Sequence, residues 1–289
     1  MPARYESERL VSGGLTLVVR FIRWPRVGSR ILRGASFSLA GAAGLWAAAL
    51  LFTTDRRVPR GTIHRFKHVV AVFPHADDET VTCGGTLHRF AASGVRVSLV
   101  LLTGGERGNP AGVMQPDLAD RRRAEAGRAA RALGITDVIH ASFGDAELSD
   151  HVDELTAYLG PLIEQLRPDL LITYDLAGLD GHSDHVACAN AVTAVRRTSY
   201  PEVALWYVTV PRRVLSLLRA VGQLVTSDAV ETHRASPTLR LFIGPGVAAK
   251  LQALRAYESQ RGAIGKGLGR VLPTALMLSV WQHEYFAEV

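Results

Sequence analysis

Apolar runs and helical patterns alternate along this chain from about residue 68 onward. Residues 69–73 and 95–102 are β-branched apolar runs of strand length, suited to central strands. Between them, 84–93 has helical spacing and ends at Gly94, a residue suited to a helix C-cap. Residues 117–133, rich in Arg and Ala, read as a helix closed by Gly134. A third strand is predicted over 137–141, a helix over 152–166, and a fourth strand over 169–174 behind Pro168. A helix over 185–197 and a fifth strand over 203–210 complete the alternation. Such an order predicts βαβ units: an α/β fold with a Rossmann-like, mostly parallel sheet flanked by helices. The apolar stretch 214–225 reads as a helix packed on this domain, with a membrane surface as a second role.

Residues 34–54, GASFSLAGAAGLWAAALLFTT, break the pattern because they contain no charge. A stretch of 21 residues is long enough to cross a hydrocarbon core. Its leader is too long for a signal peptide, and no clear small-x-small cleavage site precedes Asp55. The domain reading is therefore a basic tail (1–33), a transmembrane helix (34–54), a linker (55–65) and a catalytic domain (66–289). That makes the chain a single-pass membrane protein with the membrane as a partner. Five Arg precede the stretch (Arg20, Arg23, Arg26, Arg30, Arg33), and Arg56, Arg57, Arg60, Arg65 and Lys67 follow it. So balanced a charge leaves the positive-inside rule nothing to decide orientation with.

Composition narrows the class. Hydrophobic residues make up 47% of the 289 and charged ones 21%, which supports a large core and excludes wholesale disorder. The net charge is +6, with its Arg excess around the uncharged stretch rather than in runs interleaved with aromatics. Nucleic acid is accordingly excluded as a partner. Cys83 and Cys188 form neither a disulfide framework nor a Cys-x-x-Cys pair, and read as buried thiols.

Candidate chemistry falls where α/β sheets bind ligands, just past the carboxyl ends of strands. Pro74-His-Ala-Asp-Asp-Glu79 follows the first strand, Thr103-Gly-Gly-Glu-Arg-Gly-Asn-Pro110 the second, and Gly181-His-Ser-Asp-His185 lies beyond the fourth. Imidazoles and carboxylates are both zinc ligands. His75 and Asp78, three apart, can be aimed at one point by a turn entering a helix, and His185 can supply a third donor. Two His and one carboxylate leave a coordination position for water, as catalytic zinc sites do. Asp77 is left over as a candidate general base. Singly, each residue reads as well as a helix cap or a surface group, Asp78 above all.

These motifs resemble those of the LmbE-like superfamily, which includes the PIG-L N-acetylglucosaminyl-phosphatidylinositol de-N-acetylases and the mycothiol-pathway deacetylases. Further matching stretches are Cys83-Gly-Gly-Thr86, Thr103–Gly108, Arg122-x-x-Glu-Ala, Phe143-Gly-Asp145 and Ala253-Leu-x-x-Tyr-Glu-Ser-Gln260. The resemblance spans roughly 67–289 and leaves the first 65 residues uncovered. Ala76 and Ser183 stand where the two motifs usually carry Pro. The resemblance implies zinc, with ferrous iron as the alternative, on His75, Asp78 and His185. It implies Asp77 as the base, and His182 as acid or electrostatic stabiliser with Asp184 orienting its ring. Arg107 and Asp180 are candidate substrate contacts. Some relatives carry Tyr or Arg at the position of Asp180. The implied activity is hydrolysis of an N-acetyl group from an N-acetylglucosamine-type substrate, a small molecule or, given the uncharged stretch, a lipid-linked one. The alternatives are a metal-dependent hydrolase of another amide or a phosphoester, and a non-catalytic carbohydrate- or lipid-binding module. Gly265-Lys-Gly-Leu-Gly269, which follows no strand, reads as a loop rather than a phosphate cradle.

Overall fold

Five apolar runs become the parallel strands β1 (His68–Phe73), β2 (Arg96–Thr103), β3 (Asp137–Phe143), β4 (Leu170–Tyr174) and β5 (Ala204–Thr209). This is a computed structural model, and it describes residues 41–108, 116–220, 228–260 and 279–289. Two strands not anticipated from the sequence, β6 (Leu239–Phe242) and β7 (His283–Glu288), extend the sheet. β7 runs antiparallel to β5, and β6 antiparallel to β7. The order is β3-β2-β1-β4-β5-β7-β6.

Both faces of the sheet are covered, which explains why its strands are apolar throughout rather than alternating. Val69, Ala71 and Phe73 face a core shared with Leu87, Phe90, Ala126, Leu133 and Tyr257. Val70 and Val72 face the other core, with Leu155, Leu159, Ala191 and Val195. The first layer is supplied by α2 (Asp78–Ala92), α3 (Leu118–Leu133) and α9 (Gly246–Ala256). The second is supplied by α4 (Val152–Leu166) and α6 (Ser183–Ser199). Shorter helices are α5 (Gly178–Gly181), α7 (Arg212–Ala220) and α8 (Asp228–Thr232). Both cysteines are buried and free.

The helix α2 begins earlier than its periodicity suggests, at Asp78 rather than near residue 84. It is two helical segments joined at Cys83, whose φ of −136° and ψ of 16° are not helical. The second segment matches the predicted helix. Its N-terminus is satisfied from across the fold, because Glu284 accepts from Gly85 N–H (3.0 Å) and Thr86 N–H (2.7 Å). Lys250 Nζ, on α9, donates to the same carboxylate at 2.7 Å.

The expected transmembrane helix over 34–54 is corrected. Among the described residues no helix is long and apolar enough to cross a membrane. The described part of α1 covers 41–53, and residues 34–40 lie outside the description. The single-pass membrane localisation, and with it the membrane partner and the lipid-linked substrate, loses its basis. The chain divides into residues 1–48 and a unit of residues 49–289. Within the latter, the end of α1 is tied to the C-terminal segment. Thr53 Oγ1 donates to Val280 O (2.5 Å), and Tyr285 OH donates to Thr53 O (2.8 Å). Residues 55–65, read as a linker, are packed as well. Ile63 is buried, and Arg60 forms a bridge with Arg240 on the edge strand β6. The part of the apolar stretch 214–225 that is described belongs to α7. Residues 221–227 and the glycine-rich 265–269 lie outside the description.

Candidate metal and catalytic site

Strand order reverses between β1 and β4, and α/β sheets bind ligands at such a switch point, beyond the carboxyl ends of the strands. The loop leaving β1 carries His75, Asp77 and Asp78, and the segment after β4 carries Asp180, His182, Asp184 and His185. His75, Asp78 and His185 each present one donor atom within 4.8 Å of the others, and all three residues are buried. His75 Nδ1 lies 3.3 Å from Asp78 Oδ2, and His185 Nε2 lies 3.6 Å from Asp78 Oδ1.

The other ring nitrogens are held from behind. His75 Nε2 lies 3.1 Å from Asp145 Oδ1 and 3.2 Å from Asp184 Oδ2. His185 Nδ1 faces Gly178 O at 3.1 Å and Asp180 Oδ1 at 2.9 Å. Tyr174, the last residue of β4, stacks on the His185 ring with centroids 4.2 Å apart. Metal-binding imidazoles typically donate their second N–H to a carboxylate or carbonyl, which fixes both tautomer and orientation. The donor set thus fits a divalent cation with two nitrogen ligands and one oxygen ligand.

Electrostatics point the same way. Burial lowers the pKa of His75, but its hydrogen bonds to the carboxylates of Asp145, Asp184 and Asp78 outweigh it and raise it well above the usual value. Burial likewise disfavours the Asp78 carboxylate, yet the His185 and His75 imidazoles hold its pKa far below the ordinary range. The pocket concentrates negative charge that only protons or a cation can balance. A cation binding there displaces protons, which makes its affinity pH-dependent.

Asp77 stands apart from the ligand group. Its pKa is pushed up to about 8 by burial and by the Asp78 charge, against the pull of Arg122. A bound cation would lower it again. Its backbone is left-handed, with φ of 111°. Arg122 of α3, itself buried, sits 3.5 Å from Asp77 Oδ1 and donates to Ala76 O at 2.7 Å. The Asp77 N–H donates to Glu79 Oε2 at 3.2 Å.

His182 is the N-cap of α6, and its Nδ1 accepts from Asp184 N–H at 3.2 Å. An accepting Nδ1 leaves the proton of a neutral ring on Nε2. Burial and the nearby His185 and His75 lower its pKa. The Asp184 carboxylate itself accepts from Ala146 N–H (2.8 Å) and Leu148 N–H (3.2 Å) and faces His75. Asp184 therefore meets His182 through its backbone, and its carboxylate supports His75. Asp180 supports His185. The Arg107 guanidinium pairs with Glu147 and is half exposed, while the Arg107 N–H donates to Asp145 Oδ2 at 2.7 Å.

Asp145, Arg122 and Tyr174 were not foreseen as site residues. For Asp145 a signal existed: Phe143-Gly-Asp145 follows β3 at the same edge of the sheet as the ligand loops. Arg122 lies in a helix among other arginines, and only the stretch Arg122-x-x-Glu-Ala set it apart from Arg121 and Arg123, without a role in the site.

A family profile described as GlcNAc-PI de-N-acetylase, PIG-L, matches residues 70–196. The 1D-myo-inositol 2-acetamido-2-deoxy-alpha-D-glucopyranoside deacetylase of Acidothermus cellulolyticus is 32% identical over 237 residues, covering 67% of this chain and 80% of the relative. The enzyme of the same description from Thermobispora bispora is 34% identical over 262 residues, covering 71% and 84%. In fold, the chain is like N,N'-diacetylchitobiose deacetylase from Pyrococcus horikoshii. The TM-score is 0.56 at 21% identity, covering 83% of this chain and 88% of that one.

Proposed function

This chain belongs to the PIG-L family of de-N-acetylases and is an N-deacetylase, and we propose that it hydrolyses the acetamide of an N-acetylglucosamine joined to inositol or a similar polyol. The relatives' substrates motivate the sugar class. The observation that carries the reading is the convergence of His75 Nδ1, Asp78 and His185 Nε2 beside the carboxylate of Asp77, which is outside that donor set.

We assign zinc to His75, Asp78 and His185, with ferrous iron as the alternative. Bound there, the cation supplies Lewis acidity toward the acetamide carbonyl and lowers the pKa of water. Asp77 takes the proton of the attacking water as the new C–O bond forms. His182 offers its Nε2–H to the oxygen that gains charge, so it acts as a hydrogen-bond donor without being cationic. The C–N bond then breaks. The proton held by Asp77 passes to the departing nitrogen, giving acetate and a free amine. Asp145, Asp184 and Asp180 keep the two ligand imidazoles in register.

The test is acetate release from 1D-myo-inositol 2-acetamido-2-deoxy-alpha-D-glucopyranoside, N,N'-diacetylchitobiose and N-acetylglucosaminyl-phosphatidylinositol, with and without a chelator. The inositol glycoside is expected to be the best substrate, and chelator to abolish turnover. Asp77→Asn should keep its metal and lose at least about a hundredfold in rate, the usual contribution of a positioned base. Near-normal turnover in metal-loaded Asp77→Asn would remove Asp77 from its role. Failure of the loaded wild type on all three would overturn the substrate class.

A further inference from the structure

The Ala253–Gln260 stretch, the last turn of α9 and the four residues after it, contributes nothing to the proposed ligand set. Tyr257, Ser259 and Gln260 nonetheless reach inward. Tyr257 OH donates to Glu79 Oε1 at 2.7 Å. Ser259 donates to Glu125 through its N–H (2.9 Å) and its hydroxyl (2.5 Å). Gln260 Nε2 donates to Gly108 O at 2.9 Å. Tyr257 and Glu79 are completely buried.

Glu79 is where this stretch meets the chemistry. One carboxylate oxygen accepts from Tyr257 OH and Thr80 Oγ1, and the other accepts from the Asp77 N–H. Asp77 has φ of 111° and ψ of −26°, the left-handed side of the map, which a residue with a Cβ rarely adopts. Such a conformation persists only where its surroundings over-determine it. Two supports are present: Glu79 on the Asp77 amide, and Arg122 on Ala76 O and near the Asp77 carboxylate.

We propose that Tyr257 is a positioning residue for N-deacetylation: through Glu79 it holds the Asp77 backbone in the conformation that aims the base into the site. The proposal rests on Asp77 being the base. Without the phenol hydroxyl, Glu79 loses a partner from a distant element and turns toward Thr80, and the Asp77 N–H is released. Arg122 still holds the other side, so the base is displaced rather than lost. The effect should therefore be smaller than that of removing the base.

The experiment is steady-state kinetics of the metal-loaded full chain on the inositol glycoside, with metal stoichiometry and thermal unfolding measured on each variant. Tyr257→Phe should lower kcat about tenfold, within the range a misplaced catalytic group produces. KM should stay within about twofold and metal content should not change. Glu79→Gln keeps one accepting oxygen where the carboxylate has two, so it no longer accepts from the Asp77 N–H on one side and from the Tyr257 and Thr80 hydroxyls on the other, and it should lower kcat likewise. The double variant should be no slower than Glu79→Gln alone, because both changes act through one carboxylate. Ser259→Ala severs the same stretch from Glu125 and is expected to lose stability while keeping kcat. A Tyr257→Phe protein with wild-type kcat overturns the proposal. So does a loss that Ser259→Ala reproduces, or effects of Tyr257→Phe and Glu79→Gln that multiply. Asp77→Asn run in parallel separates the two readings. If it stays active, the base assignment fails; if it is inactive while Tyr257→Phe is normal, only the role of Tyr257 fails.

Discussion

Lys250→Met should destabilise the protein by about 3 kcal/mol, and Glu284→Ala by more. The two side chains are 3% and 1% exposed and form an ion pair at 2.7 Å, so no discount for solvent screening applies. Removing one partner of a buried pair leaves an uncompensated charge, at a cost of about 3–5 kcal/mol. The remaining partners decide where in that range each variant falls. After Lys250→Met, Glu284 still accepts from Gly85 and Thr86 at the N-terminus of a helical segment, where a negative charge is favoured. That places Lys250→Met at the low end. Glu284→Ala strands the Lys250 ammonium and two buried N–H groups together, which places it at or above the high end. Urea unfolding followed by circular dichroism gives both values, with the slope checked for constancy. A Lys250→Met loss under about 1 kcal/mol, which would mean that the backbone N–H groups alone satisfy Glu284, or a loss larger than that of Glu284→Ala, would refute the reasoning.

His75→Ala or His185→Ala should lose the metal, and full occupancy by elemental analysis in both would exclude the ligand set. His283 makes stability fall with acid. Burial first, then Arg240 and Arg60, lowers its pKa to about 4. The unfolded chain takes up that proton near pH 6.5 and the folded one only near 4, so this contribution is complete above about pH 6.5 and is lost as pH falls toward 4. His283→Gln should flatten that part of the stability profile, and an unchanged profile would exclude His283 as its source. Gly85→Ala should destabilise by about 1–3 kcal/mol as an overpacked site. The new Cβ would lie 2.7 Å from Ile243 Cδ1 and 2.8 Å from its Cβ, and a Gly85→Ala protein with wild-type stability in urea unfolding would refute that close packing.

Local reading succeeded where one residue's neighbours in sequence are also its neighbours in space. β1, β2 and β4 are apolar because both their faces are covered, and an unbroken apolar run betrays that without knowledge of the partner. His75 and Asp78 share one turn, and their pairing was visible from a spacing of three. His185 belonged with them because both motifs follow strands of one parallel sheet. β6 and β7 escaped notice because four to six residues bearing Arg240, Glu284 and Glu288 carry too little periodicity. The residues 34–54 misled because freedom from charge measures composition, whereas spanning also requires helix length and hydrophobicity.

From its sequence alone, then, this protein was committed to alternating helices and strands, to a candidate ligand triad on two loops, and to a family of hydrolases. Hydrophobic periodicity and motif spacing are properties of short segments, so they survive without coordinates. Tertiary structure decided which carboxylate serves which imidazole: Asp184 and Asp145 on His75, and Asp180 on His185. It also decided that Arg122 and Glu79 flank Asp77, the proposed base, and that Tyr257, 180 positions after Asp77 in the chain, stands behind Glu79. Hydrogen bonds depend on atoms lying within about 3 Å along fixed directions. Residues far apart in sequence meet that condition only once the sheet order and helix packing have set their positions.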